Sequence, residues 1–191
     1  MALPNDKLST DPAPAPFLYN DDKTVTRFVD YEMGGIALND PSSGLTHQVW
    51  TASIEGNRIF LHPENGDKTL IYTGTGIVTD ISISFDQNMR LTYAYVEDND
   101  CYLYWYDNTV GDYTRTNFGR LKTPRISLDD KRSESTGSSD IIFAYIKDAK
   151  LYYRQQRDRF GVERLLDDGP IIGLDRIGMN TVNRMQFLCK R

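Results

Sequence analysis

Apolar and polar residues alternate with a period of two along most of the chain, in short runs separated by polar turns. This period is typical of β-strands, and the longer period of an amphipathic helix is nowhere sustained. An acidic turn, Glu97 to Asp100, lies in the middle of the clearest stretch. Around it the pattern predicts four successive strands: Ile83–Asp86, Met89–Val96, Cys101–Tyr106 and Tyr113–Phe118. The pattern therefore predicts an all-β chain built from four-strand units.

This unit recurs along the chain. The pattern of its first, inner strand appears four times, in the segments Ile36–Asn39, Ile83–Asp86, Ile126–Asp129 and Ile172–Asp175. A second pattern begins at Ala52, Ala94 and Ala144 and leads each time into a hairpin. We predict the hairpin centres at Gly56–Asn57, Asn99–Asp100 and Asp148–Ala149, because Gly, Asn and Asp tolerate positive φ. Four-strand repeats of about 40 to 50 residues are typical of β-propellers.

The chain begins and ends within a unit. Residues Val182–Cys189 can form the second strand of the fourth copy, and the third and fourth strands do not follow. Near the other end, Phe17–Val29 has the pattern of those two missing strands. We therefore predict one domain over residues 17–191, a four-bladed β-propeller closed by pairing of the N- and C-terminal segments, which hides the sheet edges. A β-sandwich and a trimer of open arcs remain alternatives, because evenly spaced alternating strands fit them too.

The first sixteen residues differ in composition from the rest. Residues 1–16 contain four of the eight prolines, Pro4, Pro12, Pro14 and Pro16, among small and polar residues. Such a segment cannot pack a core and favours an extended, polyproline-like arm. We interpret it either as a passive tail or as a tether that lies across a neighbouring subunit.

Charge and apolar content limit the functions of this chain. Its net charge of −5 and pI near 5.0 argue against general binding to nucleic acid or to anionic membranes, which needs a dense basic surface. The N-terminus lacks the apolar segment of a signal peptide, and no apolar run is as long as a membrane span. We therefore expect synthesis in a cytoplasm and no membrane insertion. Cys101 and Cys189 lie in apolar strand patterns and are predicted to be buried free thiols.

Each copy of the inner strand ends in a residue with a side-chain oxygen: Asn39, Asp86, Asp129 or Asp175. In a propeller these strands line a central channel, so the four side chains would surround one mouth of that channel. Oxygen ligands of this kind suit a hard cation such as calcium. The alternative is that each side chain bonds its own backbone to start a turn. No other cofactor is predicted.

Glycan hydrolysis and binding through aromatic residues are two further possibilities that the sequence raises. The segment Ser84–Asn88 resembles the Asp-box turn of sialidase-type propellers, although the glycine, threonine and tryptophan of that motif are absent. A glycan hydrolase would need two carboxylates at a defined separation. The aromatic residues of the central unit could stack on sugars or on a protein partner, or pack between neighbouring sheets. They are Tyr93, Tyr95, Tyr102, Tyr104, Trp105, Tyr106 and Tyr113.

Two segments carry a family resemblance. One is Phe28–Asp40, which includes the run Met33, Gly34, Gly35, and the other is Ile142–Glu163, centred on Leu151–Arg159. Both resemble virion structural proteins of tailed bacteriophages, particularly small proteins of the tail tip or host-recognition apparatus.

The resemblance implies a non-enzymatic structural or adaptor component of a phage tail. Such a protein is made in the host cytoplasm, resides in the virion in multiple copies and contacts other tail proteins. The resemblance assigns no catalytic residue. The alternatives are a carbohydrate-binding module that recognises a host-surface glycan and a sialidase-like glycan hydrolase.

Overall fold

The structure is a computed structural model that describes residues 35–37, 48–63, 67–86, 88, 90–129, 140–179 and 185–191. These residues form fourteen β-strands and one short 3-10 turn, Gln156–Asp158, and include no α-helix. No helix in these ranges is therefore long and apolar enough to span a membrane. The strands are β1 Gly35–Ala37, β2 Gln48–Glu55, β3 Arg58–Pro63, β4 Thr69–Thr73, β5 Val78–Phe85, β6 Leu91–Glu97, β7 Asp100–Asp107, β8 Asp112–Asn117, β9 Lys122–Asp129, β10 Asp140–Lys147, β11 Lys150–Gln155, β12 Arg164–Asp167, β13 Gly173–Met179 and β14 Met185–Lys190.

The strands form four antiparallel sheets in chain order. The first sheet contains β1 to β4, the second β5 to β8 and the third β9 to β12, each with its strands side by side in sequence order. The fourth contains only β13 and β14 among the described residues. The predicted all-β class and the four-strand unit are therefore confirmed.

The central hairpins of the first and third sheets have their turns where they were predicted, and that of the second sheet has its turn one residue earlier. Ala52 pairs with Leu61, Ala94 with Leu103 and Ala144 with Tyr153. Positive φ occurs at Gly56, at Asp98 and Asn99, and at Asp148 and Ala149. The predicted centre Asn99–Asp100 is wrong by one residue, because Asp100 already begins β7 and pairs with Glu97.

The fourth copy of the inner strand was predicted in the wrong place. Ile83 of β5 and Ile126 of β9 are buried, and the buried isoleucine of β13 is Ile177. Ile172 is 70% exposed and lies before that strand. The true fourth copy therefore starts five residues later than Ile172, and Asp175 lies at a register shift between Leu174 and Arg176. Residues 172–175 and 177–180 both match the pattern of the inner strand, so the pattern alone does not choose between them, whereas burial in the folded sheet does.

Each pair of successive sheets encloses an apolar core. Buried residues of the first and second sheets form one cluster, which includes Ile59, Ile83 and Tyr95. A second cluster joins the second and third sheets through Leu103, Trp105, Phe143 and Phe160, and a third joins the third and fourth sheets through Ile146, Leu174 and Ile177. Partly buried Met185, Phe187 and Cys189 pack on the third cluster, as their alternation in the sequence predicts.

The inner strands are neighbours across the sheets: β1 contacts β5, β5 contacts β9 and β9 contacts β13. Arg125 of β9 connects three sheets. Its guanidinium donates to both carboxylate oxygens of Asp80 at 3.0 and 3.1 Å, and its Nε donates to the carbonyl of Asp175 at 2.8 Å. These bonds hold the sheets side by side at their inner edges.

Several predictions fall on residues outside the described ranges. They concern the arm 1–16, the hairpin 17–29 and Asn39. Closure of the sheets into a ring by residues 17–29 therefore stays a prediction.

Candidate functional site: the tyrosine face of the second sheet

Alternation in three adjacent strands gathers tyrosines on one side of the second sheet. Antiparallel pairing places Tyr93 opposite Tyr104, Tyr95 opposite Tyr102, and Tyr106 opposite Tyr113. We call this side the tyrosine face and define it by Tyr93, Tyr95, Tyr102, Tyr104, Tyr106, Tyr113 and Arg115. The intervening residues Ala94, Leu103 and Trp105 point to the other side and are buried against the third sheet. Because side chains alternate along each strand, the tyrosines occupy one side of the sheet and residues such as Leu103 and Trp105 occupy the other.

The rings of the tyrosine face form a continuous series. Tyr95 and Tyr102 stack with centroids 5.3 Å apart, and Tyr104 and Tyr113 stack at 4.9 Å with an interplanar angle of 6°. The Tyr106 ring stands perpendicular to that of Tyr113, at 89° and 5.4 Å. Aromatic pairs at such distances stabilise beyond their buried area, by about 0.5 to 1.5 kcal/mol each.

The first sheet covers only the inner part of this face. Tyr93 and Tyr95 are buried, and Tyr72 of β4 packs on Tyr95 with ring centroids 4.6 Å apart. Tyr104 is partly buried, whereas Tyr113 on the outer strand is 36% exposed. The predicted packing of aromatic rings between neighbouring sheets is therefore confirmed for the inner rings. Binding of a sugar or a protein partner by the outer rings stays a prediction.

Two arginines lie on the rings. The Arg115 guanidinium lies 3.9 Å from the centroid of Tyr102, and that of Arg90 lies 3.9 Å from the centroid of Tyr106. Asp86 holds Arg90 in place through a hydrogen bond to its Nε of 2.7 Å. Cations in this position are attracted by the negative ring face. The tyrosine face therefore offers apolar surface together with positively charged hydrogen-bond donors.

A buried carboxylate anchors the inner end of the face. Glu97 accepts hydrogen bonds from the Tyr72 hydroxyl at 2.7 Å and from Nη2 of Arg115 at 3.1 Å. Its other oxygen accepts from the amides of Thr75 and Gly76 at 2.7 and 2.9 Å. The short Gly-Thr-Gly loop can approach so closely because Gly74 has no Cβ, which would lie 2.5 Å from Glu97 Oε1. The cluster therefore joins the first sheet to the second.

These contacts shift the acid–base properties of the cluster. Burial alone raises the pKa of Glu97, but the amide and hydroxyl donors and the Arg115 charge outweigh it and hold the pKa below its ordinary value. Burial raises the pKa of Tyr95, and the hydrogen bond with Tyr72 raises it further. The carboxylate is thus ionised and the phenols are neutral at physiological pH.

A similar cluster occurs in the third sheet. Tyr145, which occupies the same repeat position as Tyr95, donates to Glu163 at 2.6 Å and accepts from Arg154 Nε at 2.7 Å. Lys147 also donates to Glu163, at 3.0 Å. Burial alone raises the pKa of Glu163, but these donors and charges lower it below its ordinary value.

No sequence pattern predicted either cluster. The arginine comes from the fourth strand of the second sheet but from the third strand of the third sheet, so the two clusters share no sequence spacing. The repeated Ala-Tyr pair at Ala94 and Ala144 was the one sequence signal that marked both sites.

The structure does not assemble the predicted channel-mouth cation site from the described residues. Asp86 accepts from the amides of Asn88 and Arg90, which is the alternative role in a turn. Asp129 lies 4.0 Å from Arg157, and Asp175 forms an ion pair with Lys190 at 2.9 Å. In the ranges described, no three His, Cys, Asp or Glu side chains are grouped to hold a metal ion. Asn39 lies outside those ranges, so the calcium site stays a prediction.

Among the described residues, one histidine and two cysteines are the other side chains that could be reactive. His62 forms a 2.6 Å hydrogen bond with Ser53 Oγ on the neighbouring strand. Cys101 is buried and Cys189 is partly buried, and both are free thiols. Burial raises the pKa of each thiol. Both cysteines are therefore poor nucleophiles at neutral pH.

Comparisons of the chain with known protein families, with curated proteins and with solved structures each found no significant match.

Proposed function

We propose that this chain is a non-enzymatic structural and adaptor component of a bacteriophage tail, built as a closed four-bladed β-propeller that binds other protein chains through the exposed part of its tyrosine face. The resemblance of Phe28–Asp40 and Ile142–Glu163 to virion structural proteins supports the location in a tail. The tyrosine face supports the binding role, because aromatic and arginine side chains dominate the energetics of protein interfaces.

The polar clusters favour a role as a rigid scaffold over a role as an enzyme. The Glu97 carboxylate is bound by donors from both its own sheet and the first sheet, and Arg125 bonds to the second and fourth sheets. Side chains held in this way stabilise the relative positions of the sheets. A rigid array of sheets presents its surface in one fixed geometry, which lowers the entropy lost on binding.

Ring closure would complete the fourth sheet, to which the described residues contribute two strands. Residues 17–29 would add two strands beside β14, which is the outer strand of that sheet among the described residues. Hydrogen exchange of the full chain tests this proposal. We expect slow exchange at every amide of β14, since strands on both sides would bond them, and fast exchange at alternate amides of the edge strand β12, which serves as the internal reference. Fast exchange at alternate β14 amides would contradict closure.

Cosedimentation tests the location. We expect an epitope-tagged chain, produced in cells infected with the phage that encodes it, to cosediment with intact particles and with isolated tails. A tag on an unrelated soluble protein provides the control. Recovery of the chain only in the soluble fraction would refute a tail component.

Glycan binding is a second candidate, favoured by the outer rings. The ring of Tyr113 is exposed, with charged Arg115 two residues along the same strand. Sugars stack on such rings through their apolar faces. Glycan-array binding without turnover, abolished in Tyr113→Ala, would favour this function over the adaptor role.

A further inference from the structure

The outer part of the tyrosine face is an apolar surface that carries hydrogen-bond donors. The rings of Tyr104 and Tyr113 lie nearly parallel, and Tyr106 stands upright beside them. Arg115, with 43% of its side chain exposed, borders these rings on one side. The Tyr106 hydroxyl already donates to the carbonyl of Gly111 at 2.7 Å, and Arg115 donates through Nε and Nη2 to Tyr95, Tyr72 and Glu97. The further donors of this surface are the hydroxyls of Tyr104 and Tyr113 and Nη1 of Arg115. The matching ligand is therefore an apolar segment rich in carbonyl acceptors.

A polyproline segment has this chemistry. Its backbone carbonyls are unpaired, its prolines have no N–H, and its extended form is largely present before binding. Aromatic surfaces recognise such segments with a small entropy loss. A segment with frequent prolines cannot add as a strand to a sheet edge, because it lacks the donors of a ladder. It therefore fits the face of a sheet and not its edge.

The chain itself contains such a segment outside the described residues. Pro12, Pro14 and Pro16 alternate with alanines, whose small side chains leave the proline rings accessible, and Asp11 directly precedes them. The carboxylate of Asp11 can accept a hydrogen bond from Nη1 of Arg115, whose charge is paired with Glu97 within the sheet. Proline rings and unpaired carbonyls thus match the tyrosine rings and their hydroxyl donors.

We infer that the segment Asp11–Pro16 of one copy of this protein binds the outer part of the tyrosine face of a second copy. This inference rests on the proposed propeller and on its binding role. In a closed ring the arm starts at the fourth sheet, which lies across the ring from the second sheet, so a neighbouring copy is the more direct partner. The contact joins two different surfaces and therefore propagates from copy to copy in a ring or filament.

Analytical ultracentrifugation of the full chain tests this inference. Two variants each remove one half of the contact: Tyr113→Ser on the face, and Pro12→Gly with Pro14→Gly and Pro16→Gly in the arm. We expect the wild type to self-associate reversibly, and each variant alone to associate at least tenfold more weakly. A mixture of the two variants should form one-to-one complexes and nothing larger, because one variant retains its arm and the other its face.

Leu165→Ser is the matched control, since it removes an apolar side chain that is 51% exposed on the outer strand of the third sheet. It should leave self-association unchanged. Thermal unfolding of Tyr113→Ser checks that its fold is intact. The arm variant changes only residues outside the four sheets described above, so it tests the contact without altering those sheets.

A wild type that is monomeric at all concentrations, or a mixture without complexes, would overturn the inference. Cosedimentation with particles separates this result from the proposed function. A chain that cosediments but does not self-associate retains its tail role and loses only the arm contact.

Discussion

Single residues of the polar clusters determine how firmly neighbouring sheets are joined. Glu97 is the clearest case, since it is buried and bonds to Tyr72, Arg115 and two backbone amides. Hydrogen bonds to a charged group contribute more than neutral ones, and leaving donors unpaired in a buried site is unfavourable. One carboxylate therefore makes several of the polar bonds between the first and second sheets.

We expect Glu97→Gln to lower the free energy of unfolding by about 2 kcal/mol, because the charge is lost and an amide cannot accept all four bonds. Urea unfolding followed by circular dichroism measures the change. Glu55→Gln is the matched control: Glu55 pairs with Lys68 at 2.6 Å at an exposed site, and its loss should change stability by less than about 0.5 kcal/mol. Equal effects of the two substitutions would contradict the assigned role.

The lowered pKa values of Glu97 and Glu163 predict how stability depends on pH. Below the ordinary glutamate pKa of about 4.3 the unfolded chain binds protons that these folded carboxylates do not. Stability should therefore be fully present above that pH and fall as the pH drops towards the folded values. Urea unfolding between pH 7 and pH 3 measures this. The double variant Glu97→Gln, Glu163→Gln should show a shallower decline, and an unchanged slope would argue against the shifts.

At the scale of the strands, tight hairpins with positive φ connect the central strands of the second and third sheets. Asp98 and Asn99 form one turn, and Asp148 and Ala149, with φ of 52° and 58°, form the other. Both residues in such a turn must adopt the left-handed region, which matches the twist of the strands. Asp and Asn tolerate it, whereas Ala149 is strained there.

Ala149→Gly should therefore raise the free energy of unfolding by about 0.5 to 1 kcal/mol, since glycine adopts positive φ without strain. Gly56→Ala is the converse control. Gly56 has a φ of 65° and open space where a Cβ would lie, so only backbone strain should destabilise this variant. Thermal unfolding measures both changes. A loss of stability in Ala149→Gly would show that the turn is not strained.

At the scale of the whole molecule, the sheets are held together by apolar clusters and by bonds near the inner strands. Trp105 and Phe143 pack with Phe160 between the second and third sheets. Arg125 adds a directional link, because it bonds to Asp80 of the second sheet and to the backbone of the fourth. Apolar packing supplies most of the stability, and directional hydrogen bonds select one placement of each sheet relative to its neighbours.

A double-mutant cycle of Asp80→Asn and Arg125→Gln should give a coupling energy of about 1 to 2 kcal/mol, since both side chains are mostly buried and Nη1 of Arg125 donates to both carboxylate oxygens. Chemical denaturation of the four proteins in the cycle measures it. The exposed pair Lys68 and Glu55 provides the reference cycle, with a coupling of less than about 0.5 kcal/mol. Similar coupling in both cycles would mean that Arg125 does not hold the sheets together.

Local sequence rules predicted the strands and the repeat but only part of the tyrosine face. They grouped Tyr102, Tyr104 and Tyr106 with Trp105 in one aromatic set, although alternation puts Trp105 on the other side of the strand. They could not predict that the first sheet covers Tyr95 and leaves Tyr113 exposed, since that depends on how two sheets pack. Nor could spacing predict that Glu97 binds Tyr72 and Arg115, which come from strands on either side of it in the chain.

The sequence by itself determined the all-β class, the four-strand unit and the position of most turns, because alternation and left-handed turn residues act over a few neighbouring positions. Tertiary structure decided the position of the fourth copy, because two segments share its pattern and the folded sheet buries Ile177 and leaves Ile172 exposed. It also decided which charges pair across sheets and which tyrosines reach the surface. These features arise from contacts between residues far apart in the chain, which have no fixed sequence spacing.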